Sequence, residues 1–193
     1  LPVHELEAEL AADGLHIPVI GVIDPGAQSL VRATRSGTVG VIGTIGTIGS
    51  GAYDLAVSRA SLGAPVKLVG AACPGFVEFV ERGVTSGPAL MAVAEEYLAP
   101  IKAAGVDTLV LGCTHYPLLT GAISYVMGDN VTLVSSAEET AKDVYRTLVA
   151  HDLLRTSDQT PNLRFQATGD ATSFGKLARR FLGPEVASVE QLG

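Results

Sequence analysis

The segment TLVLGCTHYPLL (108–119) places a cysteine, and two residues later a histidine, directly after an apolar run. Cys113 offers a thiol that can attack an electrophile or trade a proton, and His115 is near enough in the chain to reach that thiol or the same ligand. Thr114 adds a hydroxyl between them. A free cysteine is more often a small buried hydrophobe, so position must decide between the two roles. The other cysteine, Cys73 in AACPG, also ends an apolar run, but Pro74 follows and no histidine or threonine adjoins it. It reads as a buried structural thiol. Glu81 closes FVEFVERG, where a solvated helix-end carboxylate is the plain alternative to a functional one. Thr44 and Thr47 punctuate VIGTIGTIGSG; their hydroxyls suit a carboxylate ligand or a local turn equally. Those glycines lack the G-x-G-x-x-G pattern entering a helix, and no lysine follows them, so a nucleotide is not expected. Two cysteines form neither a disulfide framework nor a zinc spacing, and neither metal nor cofactor is expected.

The elements that must hold these residues alternate along the chain. Strands are expected at IPVIGVID (17–24), TVGVIGT (38–44), PVKLVGAAC (65–73), DTLVLGC (107–113) and VTLVSS (131–136). Helical patterns separate them, from HELEAELAADG, stopping at Gly14, to AEETAKDVYRTLVAHDLL, with Ser136 and Glu139 as its expected capping box. The polar stretch RTSDQTPN (155–162) precedes a last unit with LRFQATG, a helix around SFGKLARRFLG and a strand near ASVEQL. Strands and helices at this spacing make parallel βαβ units with both sheet faces covered, an α/β protein. In such sheets ligands gather beyond the carboxyl ends of the strands. Cys113 ends its strand on that edge. Pro117 is set to open the next helix, whose N–H groups and dipole favour a thiolate.

Composition narrows the function. With 13 basic against 20 acidic residues and a net charge of −7, the chain lacks the positive field that phosphate neutralisation requires, so no nucleic-acid partner is expected. Ser36 through Tyr53 carries no charge, yet its glycines, serines and threonines read as a buried strand entering a loop, not a membrane span. The opening residues have no basic segment leading into an apolar core, and a reducing cytoplasm is the expected home.

LVLGCTHYPLL resembles the C-terminal active-site motif of glutamate racemases, within the Asp/Glu racemase superfamily. VIGTIGTIGSGAY, ACPGFVEFVERG and SSAEETA agree with the family in the same order, so the resemblance runs over nearly the whole chain. It implies a two-lobed fold with the first lobe incomplete: residues 25–134 as the C-terminal lobe, and 1–24 with 135–193 as the remnant of the N-terminal lobe. The family's Asp-Ser-Gly strand end, Pro-Tyr-Gly loop and Cys-Asn segment are not found here, which suggests a chain beginning just after them.

The resemblance implies cofactor-independent inversion at the α-carbon of glutamate by two cysteines, supplying D-glutamate for peptidoglycan. Cys113 matches the C-terminal catalytic cysteine. Thr114 and His115 match the substrate-contacting pair, with His115 assisting the thiol. Glu81 matches an acidic residue that orients the histidine, and Thr47 falls in the loop facing the substrate carboxylate. Cys73 matches a segment whose cysteine is not the base. The implied partners are L- and D-glutamate and a second copy in a homodimer. Alternatives are an aspartate or hydantoin racemase, a cysteine amidohydrolase, and an incompetent lobe that only binds a ligand or partner. With one face of the site missing, this chain alone is expected to be inactive.

Overall fold

The computed structural model describes residues 3–192. Two compact units divide the chain, Leu1–Leu153 and Leu154–Gly193. In the first, four parallel strands pair in the order β2-β1-β3-β4: β1 (Thr38–Gly43), β2 (Lys67–Ala72), β3 (Thr108–Leu111) and β4 (Thr132–Ser135). Val39 pairs with Leu68 on one side and Thr108 on the other, and Thr108 with Thr132. The central strands TVGVIG and TLVL are almost wholly buried, because helices cover both faces and leave no wet side to alternate toward.

On one face Val39, Val41, Val110 and Val134 pack against Ala27 and Leu30 of α2 (Asp24–Ala33) and against Tyr53, Ala56 and Val57 of α4 (Ala52–Ala60). On the other, a Cβ at Gly40 would stand 2.9 Å from Leu109 Cδ1 and 3.1 Å from Ile101 Cγ2. Gly40 therefore lets α6 (Pro88–Ala103) lie close to the sheet. Each fully buried leucine or valine in these layers contributes about 1.5–3 kcal/mol relative to exposure. The remaining helices of this unit are α1 (Val3–Ala12), α3 (Ile45–Gly49), α5 (Gly75–Glu81), α7 (Thr120–Met127) and α8 (Ser136–Ala150).

Three local expectations are corrected. IPVIGVID forms no strand: Ile17 and Val22 are exposed, and β-branched propensity without a ladder partner does not make one. The helix after Cys113 opens with a tight 3-10 turn, Tyr116–Leu119, before α7 begins. The cap of α8 is Ser135, whose hydroxyl accepts the Glu138 amide at 3.3 Å, while Ser136 is turned inward.

The second unit contains β5 (Phe165–Ala167) and β6 (Val189–Gln191), paired in parallel, with α9 (Ala171–Leu182) between them in the chain. Asp170 caps α9 by accepting the Thr172 amide at 2.9 Å. Among the described residues no helix is long and apolar enough to cross a membrane.

Candidate active site

The carboxyl edge of the four-stranded sheet collects the polar residues singled out above. Cys73 N–H donates to Gly43 O at 2.9 Å and Gly112 N–H to Ile42 O at 2.8 Å, so the ladder runs one step past β2 and β3 before each loop turns away. A Cβ at Gly112 would lie 2.9 Å from the Ile42 carbonyl oxygen and 3.1 Å from the Tyr53 ring. Only glycine fits there, and the next residue, Cys113, emerges from a backbone held on both sides.

Cys113 is partly buried, and its Sγ lies 4.0 Å from His115 Nδ1. The same nitrogen is 3.3 Å from Thr114 Oγ1, while Nε2 on the far side of the ring stands 3.5 Å from Glu81 Oε1. A carboxylate at Nε2 favours the proton on that nitrogen and leaves Nδ1 as an acceptor facing the thiol. Burial pushes the Cys113 thiol upward; the backbone amides of His115 and Tyr116 and the Thr114 hydroxyl pull the other way without offsetting it. The expected thiolate is therefore corrected. The amides do favour the anion, but desolvation outweighs them, and a 3-10 turn aligns fewer dipoles than an α-helix start. The group presented is a protonated thiol with an acceptor nitrogen beside it.

Tyr116 holds this loop against the one after β2. It is fully buried, donates its hydroxyl to Cys73 O at 2.8 Å, and meets the Phe76 ring edge-on at 5.4 Å. Phe76 lies on α5, and this contact anchors the helix whose last residue is Glu81. Cys73 is wholly buried, with its thiol directed to Ala71 O and pushed up to about 12 by desolvation. That is an inert thiol.

Cys113, Thr114, His115 and Glu81 thus come together. Thr47 sits in the short helix α3 that follows β1, and its bonds go to Thr44, which caps α3: amide to Oγ1 at 3.2 Å, hydroxyl to hydroxyl at 2.9 Å. Nothing in the sequence marks Tyr116 or Tyr53 for this site, since a buried aromatic carries no periodic signal, and Ser136 reads there as a helix cap alone. Among the described residues no cluster of ligating side chains could hold a metal.

Comparison with known proteins gives this arrangement a context. The family model for Asp/Glu/Hydantoin racemase matches residues 4–144, which include the whole cluster. The chain is 59% identical over 186 residues to a glutamate racemase of Beutenbergia cavernae, covering 92% of this chain and 63% of the relative. It is 57% identical over 176 residues to that of Corynebacterium diphtheriae, covering 91% and 65%. In structure it resembles the glutamate racemase of Francisella tularensis solved in complex with D-glutamate, with a TM-score of 0.85 and 31% identity, over 98% of this chain and 68% of that one. The chain spans just under two thirds of the length of the two sequence relatives. The parallel sheet, the thiol at its carboxyl edge and the span of these matches together make the chain a member of the Asp/Glu/hydantoin racemase family.

Proposed function

We propose that this chain carries one catalytic half of a cofactor-independent glutamate racemase, supplying D-glutamate to the cytoplasm for peptidoglycan. The observation that supports the reading best is the line Cys113–His115–Glu81 on the sheet edge. Inversion requires a base on one face of the α-carbon to take its proton while an acid on the other face delivers one. A partly buried, protonated thiol suits the delivering role. As Cys113 gives its proton to the planar carbon, the thiolate left behind is held by the His115 and Tyr116 amides and the Thr114 hydroxyl. In the reverse direction Cys113 must first lose its proton, and Nδ1 of His115 is the acceptor within reach.

In this proposal Thr114 and His115 contact the substrate, Glu81 orients His115, and Thr47 faces the substrate carboxylate. Residues 25–134, which hold β1 to β3 and all but the last residue of β4, are the lobe bearing this half-site, with 1–24 and 135–193 assigned to the other. The active assembly is a homodimer. The test is chiral chromatography of glutamate together with solvent deuterium exchange at the α-carbon, using the active enzyme and its Cys113→Ala variant. Exchange and inversion that survive the substitution would overturn the proposal.

A second reading is favoured by one observation. Cys73 is wholly buried, so among the described residues one thiol alone is accessible for proton transfer. On that reading the 193-residue chain by itself binds glutamate or a partner without turning it over. Racemisation by the isolated chain would exclude it.

A further inference from the structure

The peptide that joins Leu111 to Gly112 is the last rigid point before Cys113, and both of its polar groups are claimed. Gly112 N–H donates to Ile42 O at 2.8 Å, and Leu111 O accepts the Ser136 hydroxyl at 2.8 Å. Ser136 is itself buried, released from capping by Ser135, and its side chain is near enough to Tyr53 to interact with it. Tyr53, 3% exposed, lays its ring against the Cα of Gly112 from the other side. Two buried hydroxyls from α4 and α8, far apart in sequence, thus converge on the residues immediately before the thiol. Nothing in the packing of the β-sheet requires this, since the ladder is already closed by Ile42.

We propose that Ser136, with Tyr53 beside it, is a positioning residue for the Cys113 thiol: it fixes the Leu111 carbonyl so that Sγ stays in place against His115 Nδ1, 4.0 Å away. The inference rests on the reading of Cys113 as a reactive thiol. Without the Ser136 hydroxyl the Leu111 carbonyl is a buried acceptor without its donor, and the peptide, held now by its Gly112 N–H alone, tilts about that bond toward another donor. Cys113 then shifts away from His115 Nδ1, the nitrogen placed to take its proton, and ionisation becomes harder.

The test is the pH dependence of alkylation by iodoacetamide in the full 193-residue chain. Mass spectrometry separates Cys113 from Cys73, and the parent is compared with Ser136→Ala and Tyr53→Phe. Loss of this placement displaces the Cys113 curve of Ser136→Ala to higher pH by about one unit, a rate about tenfold lower at neutral pH. Tyr53→Phe, which leaves the bond to Leu111 in place, gives a smaller displacement in the same direction. A purely structural role would lower the unfolding midpoint and leave the pH profile where it was. Superimposable profiles for parent and folded Ser136→Ala overturn the proposal. If Ser136→Ala does not fold, Tyr53→Phe decides: a displaced profile supports the proposal and an unchanged one overturns it. A parent Cys113 as slow as Cys73 at every pH overturns both this proposal and the reading of the thiol on which it rests.

Discussion

His115 bridges Cys113 and Glu81: Nδ1 lies 4.0 Å from Sγ, and Nε2 lies 3.5 Å from Oε1. The ring turns a carboxylate on a helix end into control over the nitrogen that faces the thiol. If the proposed racemase reading holds, His115→Asn in the active enzyme should slow inversion by about 10²-fold, within the range for losing an acid–base partner. The overall equilibrium is fixed, so kcat/KM must fall equally from L- and D-glutamate, while kcat and KM taken separately need not. Glu81→Gln should give a milder form of the same pattern. Unchanged kinetics in both variants would remove the assigned roles.

The two cysteines should separate cleanly in alkylation. Cys113 is accessible, and burial raises its pKa, so its rate should climb with pH beyond the range of an ordinary exposed thiol. Cys73, wholly buried and pushed up to about 12, should react only once the chain unfolds. Cys73→Ala should leave the Cys113 profile unchanged. Protection of Cys113 in the native chain would contradict its placement.

Asp107 should make stability depend on pH. Burial works against its charge. Bonds from the Thr34 hydroxyl, the Ser36 and Arg35 amides and the Thr108 hydroxyl outweigh that and hold its carboxyl well below the usual range. A depressed folded pKa contributes stability above the unfolded value, about 3.9, and that contribution is lost as pH falls through the folded one. Asp107→Asn presents an amide N–H₂ toward these donors and should cost on the order of 1–3 kcal/mol at neutral pH. In urea denaturation the gap between parent and variant should narrow steadily below about pH 4. A gap independent of pH would assign the loss to packing alone.

Self-association is expected of the isolated chain. Ile17, Val22, Tyr145 and Val149 are each at least half exposed, apolar side chains that a partner surface could cover. Light scattering should report a dimer or larger species at micromolar concentration. A monodisperse monomer would argue against the homodimer.

The alternation of strands and helices was legible because β-branched runs and amphipathic stretches follow periods that a local chain segment imposes on itself. Position at a strand's end puts Cys113 on the carboxyl edge of the sheet from sequence alone, and Pro74 with its bland neighbours marks Cys73 as structural. IPVIGVID had the same local signal as a strand and formed none, since a ladder needs a partner that propensity does not supply. The pairing of His115 with Glu81 rests on Phe76 stacking against Tyr116, which brings α5 to the Cys113 loop across more than thirty residues of sequence. Ser135 and Ser136 were indistinguishable as letters. The entry angle of α8 made one the cap and turned the other toward Leu111. Local chemistry was written in residue types and spacing, whereas the balance between desolvation and amide dipoles at Cys113 depends on what the fold packs around it, and only the tertiary structure decided that.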